Sequence, residues 1–308
     1  MVLVRETELP RLSASYARAV IQSLRATRLV SGRTVGSADV PSSPATSFAG
    51  RVVVSGDRLA RYRDVCGFGP GSDVPATYPH VLAFPLQLRL MTAPTFPFPA
   101  MGLVHIANSI VQEQQLSTAD ALDLSVFATD LRPHRRGRQV TVVTQATVSG
   151  EPVWREHSVF LSRSQPTAGA SQTRQDGDEP AGEPASAPEV VTPSRWRLPA
   201  QLGRRYAFVS GDLNPIHLFD VTAKPFGYRS HIAHGMWTTA RALAELTPRL
   251  PERFRVDVAF QTPLALPATV RFSATDNATR IGFDVRGVSA GPPGSLAAAH
   301  LVGTVARL

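Results

Sequence analysis

The chain is 308 residues long, 43% hydrophobic and 18% charged, which supplies a full core, excludes a chain that stays unfolded, and at roughly 150 residues per domain suits two domains or one large one. Its single cysteine, Cys66, excludes an internal disulfide and any cysteine-based metal cluster. Thirty-two basic residues against 24 acidic ones give a net charge of +8, but 31 of the bases are arginine and the only lysine is Lys224; without a helix-turn-helix, zinc-finger or aromatic RNA-binding pattern, a GC-rich coding bias explains this better than a nucleic-acid partner.

In chain order, Arg5-Glu6 interrupt Met1-Val2-Leu3-Val4 before a signal-peptide core forms, and no apolar run approaches the ~18 residues of a membrane helix. A soluble, cytoplasmic protein without a membrane span is expected. The first 50 residues predict one helix, around Ser13–Arg25, then a Ser/Pro/Gly-rich stretch. A short helical segment, Pro85–Met91, precedes four stretches of strand alternation: Leu103–Val111, Leu122–Thr129, Gln139–Ser149 and Val153–Ser162. Ser164–Glu189 has no aromatic and no aliphatic residue larger than alanine, and reads as a disordered linker. It carries −4, leaving +12 on the rest of the chain. Such a body suits an acidic carrier protein or a phosphorylated cofactor tail, as well as a plain scatter of solvated arginines.

Beyond the linker the pattern repeats. A helix over Gly235–Leu246 is followed by strands over Phe254–Gln261, Ala268–Thr275, Ile281–Val288 and Ala297–Arg307. Leu59–Phe68 also resembles Leu202–Asp212, both reading Tyr-x-x-Val-(Cys/Ser)-Gly at an offset of 144. A helix followed by an antiparallel run, twice, predicts an α+β fold in which each sheet wraps one apolar helix and the two sheets join edge to edge. A parallel nucleotide-binding sheet is disfavoured. The expected units are 1–163, the linker 164–189, and 190–308.

Chemistry concentrates in Tyr206-Ala-Phe-Val-Ser-Gly-Asp-Leu-Asn-Pro-Ile-His217. Gly211 permits a tight turn, and Asn214-Pro215 forces extended or turn geometry before a helix can start. A carboxylate and an imidazole five residues apart around that turn can converge on one small molecule, such as water, and either can move its proton. In isolation Asp212 would read as a turn cap and His217 as an ordinary histidine. Five fixed residues, at ~5% background each, match by chance in about 300 positions with a probability on the order of 10⁻⁴.

Ser-Gly-Asp-x-Asn-Pro-x-His, followed by His234-Gly235-Met236, resembles the signature of the MaoC-like dehydratases, the R-specific enoyl-CoA hydratases. Phe260-Gln-Thr-Pro-Leu-Ala-Leu-Pro267 is similar to that family's strand after the central helix, and Thr77-Tyr-Pro-His-Val-Leu-Ala-Phe-Pro85 matches double-hotdog members more loosely. The resemblance implies a double hotdog fold. It implies reversible hydration between a trans-2-enoyl thioester and a (3R)-3-hydroxyacyl thioester in fatty acid metabolism, with no cofactor and no metal. Asp212 and His217 would activate water, Asn214 would orient them, and the Gly235 backbone N–H would donate to the thioester oxygen. A helix N-terminus suits that last role, having free N–H groups and positive partial charge. Tyr206, Ser210, Gly211, Pro215, His234 and Met236 would form the surrounding substrate site. The substrate would be an acyl-CoA, ahead of an acyl carrier protein thioester, on a monomer or homodimer.

At the offset of 144, Asp212 falls on Phe68, Asn214 on Pro70 and His217 on Asp73, while Ala233–Met236 aligns with Ala83–Leu86 and so Gly235 with Pro85. The first copy therefore lacks the chemistry and is expected to be a degenerate half that houses the acyl tail. Val54-Ser-Gly-Asp57 repeats the letters of Val209–Asp212 without Asn or His in register, and reads as a strand end. His231 and His234 lack a third ligand of clear spacing for a metal. Arg132–Arg138 can meet carrier phosphates or be a solvated hairpin turn. Two rivals stand beside the hydratase: a hotdog thioesterase and a non-catalytic acyl-thioester binding module.

Overall fold

A computed structural model describes residues 2–6, 12–13, 15–16, 18–19, 46–163, 189–288 and 297–308. Where described, residues 12–19 are helical. The rest of the expected N-terminal helix, and the expected linker up to residue 188, lie outside the described residues.

Alternating apolar and polar residues build most of the molecule into one sheet. In the first half its strands are β1 (Val2–Glu6), β2 (Thr46–Val53), β4 (Val104–Gln112), β6 (Ala121–His134), β7 (Gly137–Val148) and β8 (Glu151–Arg163). A small pair, β3 (Asp73–Val74) and β5 (Leu116–Ser117), stands apart from it. The second half supplies β9 (Glu189–Leu198), β10 (Phe254–Phe260), β11 (Ala268–Asp276), β12 (Arg280–Gly287) and β13 (Ala299–Arg307). The strand order is β1-β2-β6-β7-β8-β4-β10-β13-β12-β11-β9. Read outward from the β4–β10 junction, β4-β8-β7-β6-β2 match β10-β13-β12-β11-β9 strand for strand, as a duplicated α+β unit joined edge to edge requires, and β1, parallel to β2, is an added edge strand.

Each half wraps one central helix. α2 (Tyr78–Met91) is apolar nearly all round and buried along its length, as such a helix must be. α5 (Gly235–Leu246) is two-sided, with Met236, Trp237, Ala240 and Leu243 buried while Arg241 and Glu245 pair on its outer side. A shorter helix precedes each central one: α1 (Gly56–Cys66) and α3 (Leu202–Ser210), with the one-turn α4 (Asp220–Ala223) after α3. α1 and α3 are the repeat seen at offset 144. Both end on a glycine in the left-handed conformation, Gly67 at φ 79° and Gly211 at φ 78°. Their tyrosines, Tyr62 and Tyr206, pack with ring centroids 6.2 Å apart. Among the described residues no helix is long and apolar enough to cross a membrane.

Two expectations need correction. The first central helix starts at Tyr78, not Pro85, so Pro85 lies inside it and Tyr78 occupies the position corresponding to Gly235. The start signal is Pro79 in the first turn, where a missing N–H is harmless; matching letters to Ala233–Met236 pointed one helical stretch too far along. The approach to the helix is shortened all the same, Tyr78 following Gly67 by 11 residues against 24 from Gly211 to Gly235. Second, Val54–Asp57 does not end a strand: β2 stops at Val53, and Ser55 is the N-cap residue of α1 with Asp57 in its first turn.

Candidate active site

The signature folds as a helix stop followed by two linked turns. Gly211 terminates α3 with a positive φ that favours glycine. The Asn214 side-chain oxygen then accepts from Ile216 N–H at 3.4 Å and caps a single 3₁₀ turn at Pro215–His217. Between them the Asp212 carboxylate accepts from Asn214 N–H at 3.1 Å, and Asp212 N–H donates to Ser210 Oγ at 3.1 Å. Asp212 and His217 are thus presented by short-range hydrogen bonds written into Ser210–His217.

The loop before α5 completes the site. His217 Nδ1 lies 2.8 Å from the Ile232 carbonyl, and His234 Nε2 lies 3.0 Å from the Asp212 carbonyl. A carbonyl only accepts, so each of these nitrogens carries its hydrogen. The rings stack with centroids 3.6 Å apart, and His234 Nε2 is also 3.7 Å from Asp212 Oδ2. His217 keeps an unprotonated Nε2 for the cavity, while His234 Nδ1 is enclosed without a partner among the described residues.

Burial holds the pKa of His217 below its ordinary value, against the opposing pull of Asp212. Burial and the adjacent His217 ring push His234 down to about 3. Burial alone would raise Asp212; the neighbouring His234 and His217 rings and the Asn214 N–H outweigh it and keep the carboxyl below its usual range. At neutral pH the arrangement is one carboxylate beside two neutral imidazoles.

A ligand atom from each of Asp212, His217 and His234 lies within 4.8 Å of the others. One ring nitrogen of each histidine is committed to a carbonyl and His234 Nδ1 is enclosed, so two donors remain open. Catalytic zinc sites use three protein ligands; two acceptors suit a hydrogen-bonded water. His231 turns away, its ring nitrogens taken by Asp220 Oδ1 and the Ala200 carbonyl.

These groups line a cavity of about 200 Å³ that reaches into both halves. Gly235 opens α5 there, and its N–H has no acceptor among the described residues. A Cβ on Gly235 would meet the Phe260 ring at 2.8 Å, so glycine is required by the aromatic wall behind it. Tyr206, Ser210, Asn214, His234 and Met236 also line the cavity. Gly211 and Pro215 do not; they shape the turn. Arg136 and Arg163 stand at the cavity edge, and Phe84, Leu88, Met91 and Leu103 form an apolar part contributed by the first half.

Sequence reading missed a buried polar cluster on the first half's side. Glu156, fully enclosed, accepts from His80 Nδ1 at 2.9 Å, Asn108 Nδ2 at 2.7 Å and Gln87 Nε2 at 3.2 Å. Burial would lower the pKa of His80, but the Glu156 charge outweighs it and the imidazole is held above its ordinary value. Burial would raise Glu156, and the His80 charge likewise outweighs it. His80 also lines the cavity. The partners are 76 positions apart, so no local pattern announces them.

A family model described as "MaoC like domain" matches residues 180–292. The chain is 34% identical over 276 residues to 3-hydroxyacyl-thioester dehydratase X of Mycobacterium tuberculosis, covering 90% of each. The crystal structure of that bacterium's HtdX superposes with a TM-score of 0.71 at 33% identity, over 85% of this chain and all of the other. Another M. tuberculosis protein, reported to have a double hotdog fold, superposes with a TM-score of 0.54 at 13% identity, over 86% of this chain and 97% of its own. The fold is therefore a double hotdog.

Replacing Glu156 by Ala should destabilise the protein by about 3–5 kcal/mol in urea denaturation, because it leaves a buried charged partner and two buried donors without their acceptor. A loss below about 1 kcal/mol would show that the cluster contributes no net stability.

Proposed function

The chain belongs to the MaoC-like dehydratase family, and on that premise we propose that it interconverts a trans-2-enoyl thioester and a (3R)-3-hydroxyacyl thioester in fatty acid metabolism. The observation that carries this reading is the convergence of the Asp212 carboxylate, the unprotonated His217 Nε2 and the unpaired Gly235 N–H on one cavity.

In the hydration direction, a water held between Asp212 and His217 adds its oxygen to C3. His217 Nε2 takes one of the water's protons, and Asp212, still ionised, accepts a hydrogen bond from the remaining O–H. The electron pair of the C2=C3 bond moves towards C2 and the thioester oxygen, where the Gly235 N–H and the α5 N-terminus meet the developing charge. The imidazolium then returns the proton to C2. One imidazole takes and delivers the proton, so oxygen and hydrogen add to the same face. Dehydration is the same path reversed. Asn214, by capping the 3₁₀ turn and donating to Asp212, fixes the spacing of the two groups.

A void of about 150 Å³ accepts benzene, so the 200 Å³ cavity has room for a short acyl chain. The first half supplies the apolar wall along which a tail would lie, which supports its role as housing. Coenzyme A, ahead of an acyl carrier protein, is the proposed carrier; Arg136 and Arg163 at the cavity edge are the cations positioned to meet its phosphates.

Hydration of crotonyl-CoA, with chiral analysis of the product, tests the reaction. Release of free thiol would instead identify a thioesterase, and tight binding without turnover a binding module. Asp212→Asn and His217→Ala should each lower kcat by at least ~10², and the double variant should lose little more, because both groups serve one water. Near-wild-type turnover by either single variant would remove it from the mechanism.

The base is neutral His217, so kcat/KM for hydration should fall as pH drops through the His217 pKa, which burial holds below its ordinary value. The acid limb should accordingly have its midpoint below the ~6.5 of an unperturbed histidine, with a plateau from there through neutral pH. A midpoint above 7 in the pH–rate profile would contradict a buried, neutral base.

Gly235→Pro removes the donated hydrogen at a first-turn position whose backbone accepts proline; because its Cβ would press on the Phe260 ring at 2.8 Å, it is made and compared in a Phe260→Ala background. We expect kcat to fall ~10²–10³-fold and KM to change less, because the charge on the thioester oxygen is largest in the transition state. A folded Gly235→Pro protein with unchanged kcat would place the oxyanion contact elsewhere.

A further inference from the structure

The turn that presents Asp212 is also held from the far N-terminal end of the chain. Tyr16, 195 positions before Gly211, donates its hydroxyl hydrogen to the Gly211 carbonyl at 2.8 Å, and the same oxygen accepts from Leu213 N–H. These two backbone groups lie immediately before and after Asp212, so one hydroxyl clamps the peptides on both sides of it. Burial and the nearby Asp212 carboxylate push the phenol's pKa up, so it remains a protonated donor.

The other polar backbone groups of Asp212 have their own partners, Ser210 Oγ on its N–H and His234 Nε2 on its carbonyl. The Leu213 N–H also reaches the Gly211 carbonyl at 3.1 Å, so without Tyr16 that one tight contact would be all that holds these two groups, and Leu213 is itself 39% exposed. The flanking peptides could then rotate and swing the carboxylate away from His217.

The N-terminal segment is packed in to make this contact. Ser15 and Ala19 are buried, and a Cβ on Gly211 would meet Leu12 Cδ1 at 2.6 Å, so Leu12 fills the space that glycine leaves. Tyr16 also lines the cavity, next to Asp212, His217 and Asn214.

We propose that Tyr16 is a positioning residue for Asp212, and that the N-terminal segment, which lies outside residues 180–292 matched by the family model, is a working part of the active-site wall. The proposal rests on the role given to Asp212 above. It differs from simple packing because the hydroxyl, rather than the ring, carries it.

The test is a double-mutant cycle on the full chain with crotonyl-CoA. Tyr16→Phe should lower kcat about 10- to 100-fold, the scale on which small misplacement of a catalytic group acts, with KM changed less than about threefold. In an Asp212→Asn background the same substitution should cost less than about twofold, since no carboxylate remains to be aimed. Tyr16→Phe with kcat within about twofold of wild type, or with an equal loss in both backgrounds, would overturn the proposal while leaving Asp212 in place. Wild-type turnover by Asp212→Asn alone would overturn both. A check without any variant guards against a misfolded one: the Leu213 amide should be protected from hydrogen exchange about as well as the amides of α5. Exchange at the rate of an open loop would refute the clamp.

Discussion

Pairing of β4 with β10 is the interaction on which the remaining architecture depends. Six residues of each strand stay in register from Gln112 opposite Phe254 to Ala107 opposite Ala259, and this ladder makes one sheet of two half-sheets. It joins the half that wraps α2 to the half that wraps α5, and the cavity is lined from both. The strands also carry their own contributions to the cavity. Asn108 of β4 holds Glu156, which holds His80. Phe260 at the end of β10 backs Gly235, with His105 of β4 packed 4.9 Å from its ring. A shift of one residue along this ladder would turn Asn108 out of the core, since successive side chains point to opposite faces.

Two histidine environments face that cavity and show how the same side chain is set to opposite charge states. His80 meets a carboxylate that cannot reach water, so its protonated form is favoured despite burial. His217 and His234 each meet a backbone carbonyl, which fixes a tautomer without adding negative charge, and burial then keeps them neutral. A base must be unprotonated to act, and for the role proposed for His217 a carbonyl partner secures that more directly than a carboxylate would. The Ile232 carbonyl that orients His217 is itself held in place, because Ile232 N–H donates to the Ile216 carbonyl and Ala233 N–H to Leu264. The turn bearing His217 and the loop before α5 therefore stabilise each other.

What the sequence disclosed follows the range of the interactions involved. Eight strands with clean alternation were legible to within a few residues, β6 apart, which runs on to His134, and so was α5, because their burial pattern is local. The edge strands were not. β2 is short of large apolar residues, and β9 carries Pro193 at a bulge opposite Phe272–Ala274; proline and weak alternation are tolerated at an edge and erase the strand signal. The helices α1 and α3 were visible only as a repeat. In the candidate site, Asp212, Asn214 and His217 were legible because hydrogen bonds within eight residues hold them. His80 with Glu156, and Tyr16 with the Gly211 turn, were not, since each contact joins residues far apart in the chain.

The duplicated fold also lets the two halves carry different side chains at one cavity. The cavity at the α5 N-terminus is lined from both halves, so it takes one wall from each. In this chain α5 and the long approach to it, Gly235 following Gly211 by 24 positions, supply Asp212, His217 and His234, and α2, which follows Gly67 by only 11, supplies an apolar stretch beside His80 and Gln87. In the short approach Phe68, Pro70 and Asp73 stand at the positions of Asp212, Asn214 and His217, and Tyr78 with Pro79 opens α2 where glycine opens α5. The first half is then free to select side chains such as Phe84, Leu88 and Met91 for the cavity's apolar lining. Loss of symmetry gives one cavity two unlike ends, polar beside Asp212 and apolar beside Met91. That polarity matches a molecule with a reactive thioester at one end and a hydrocarbon tail at the other.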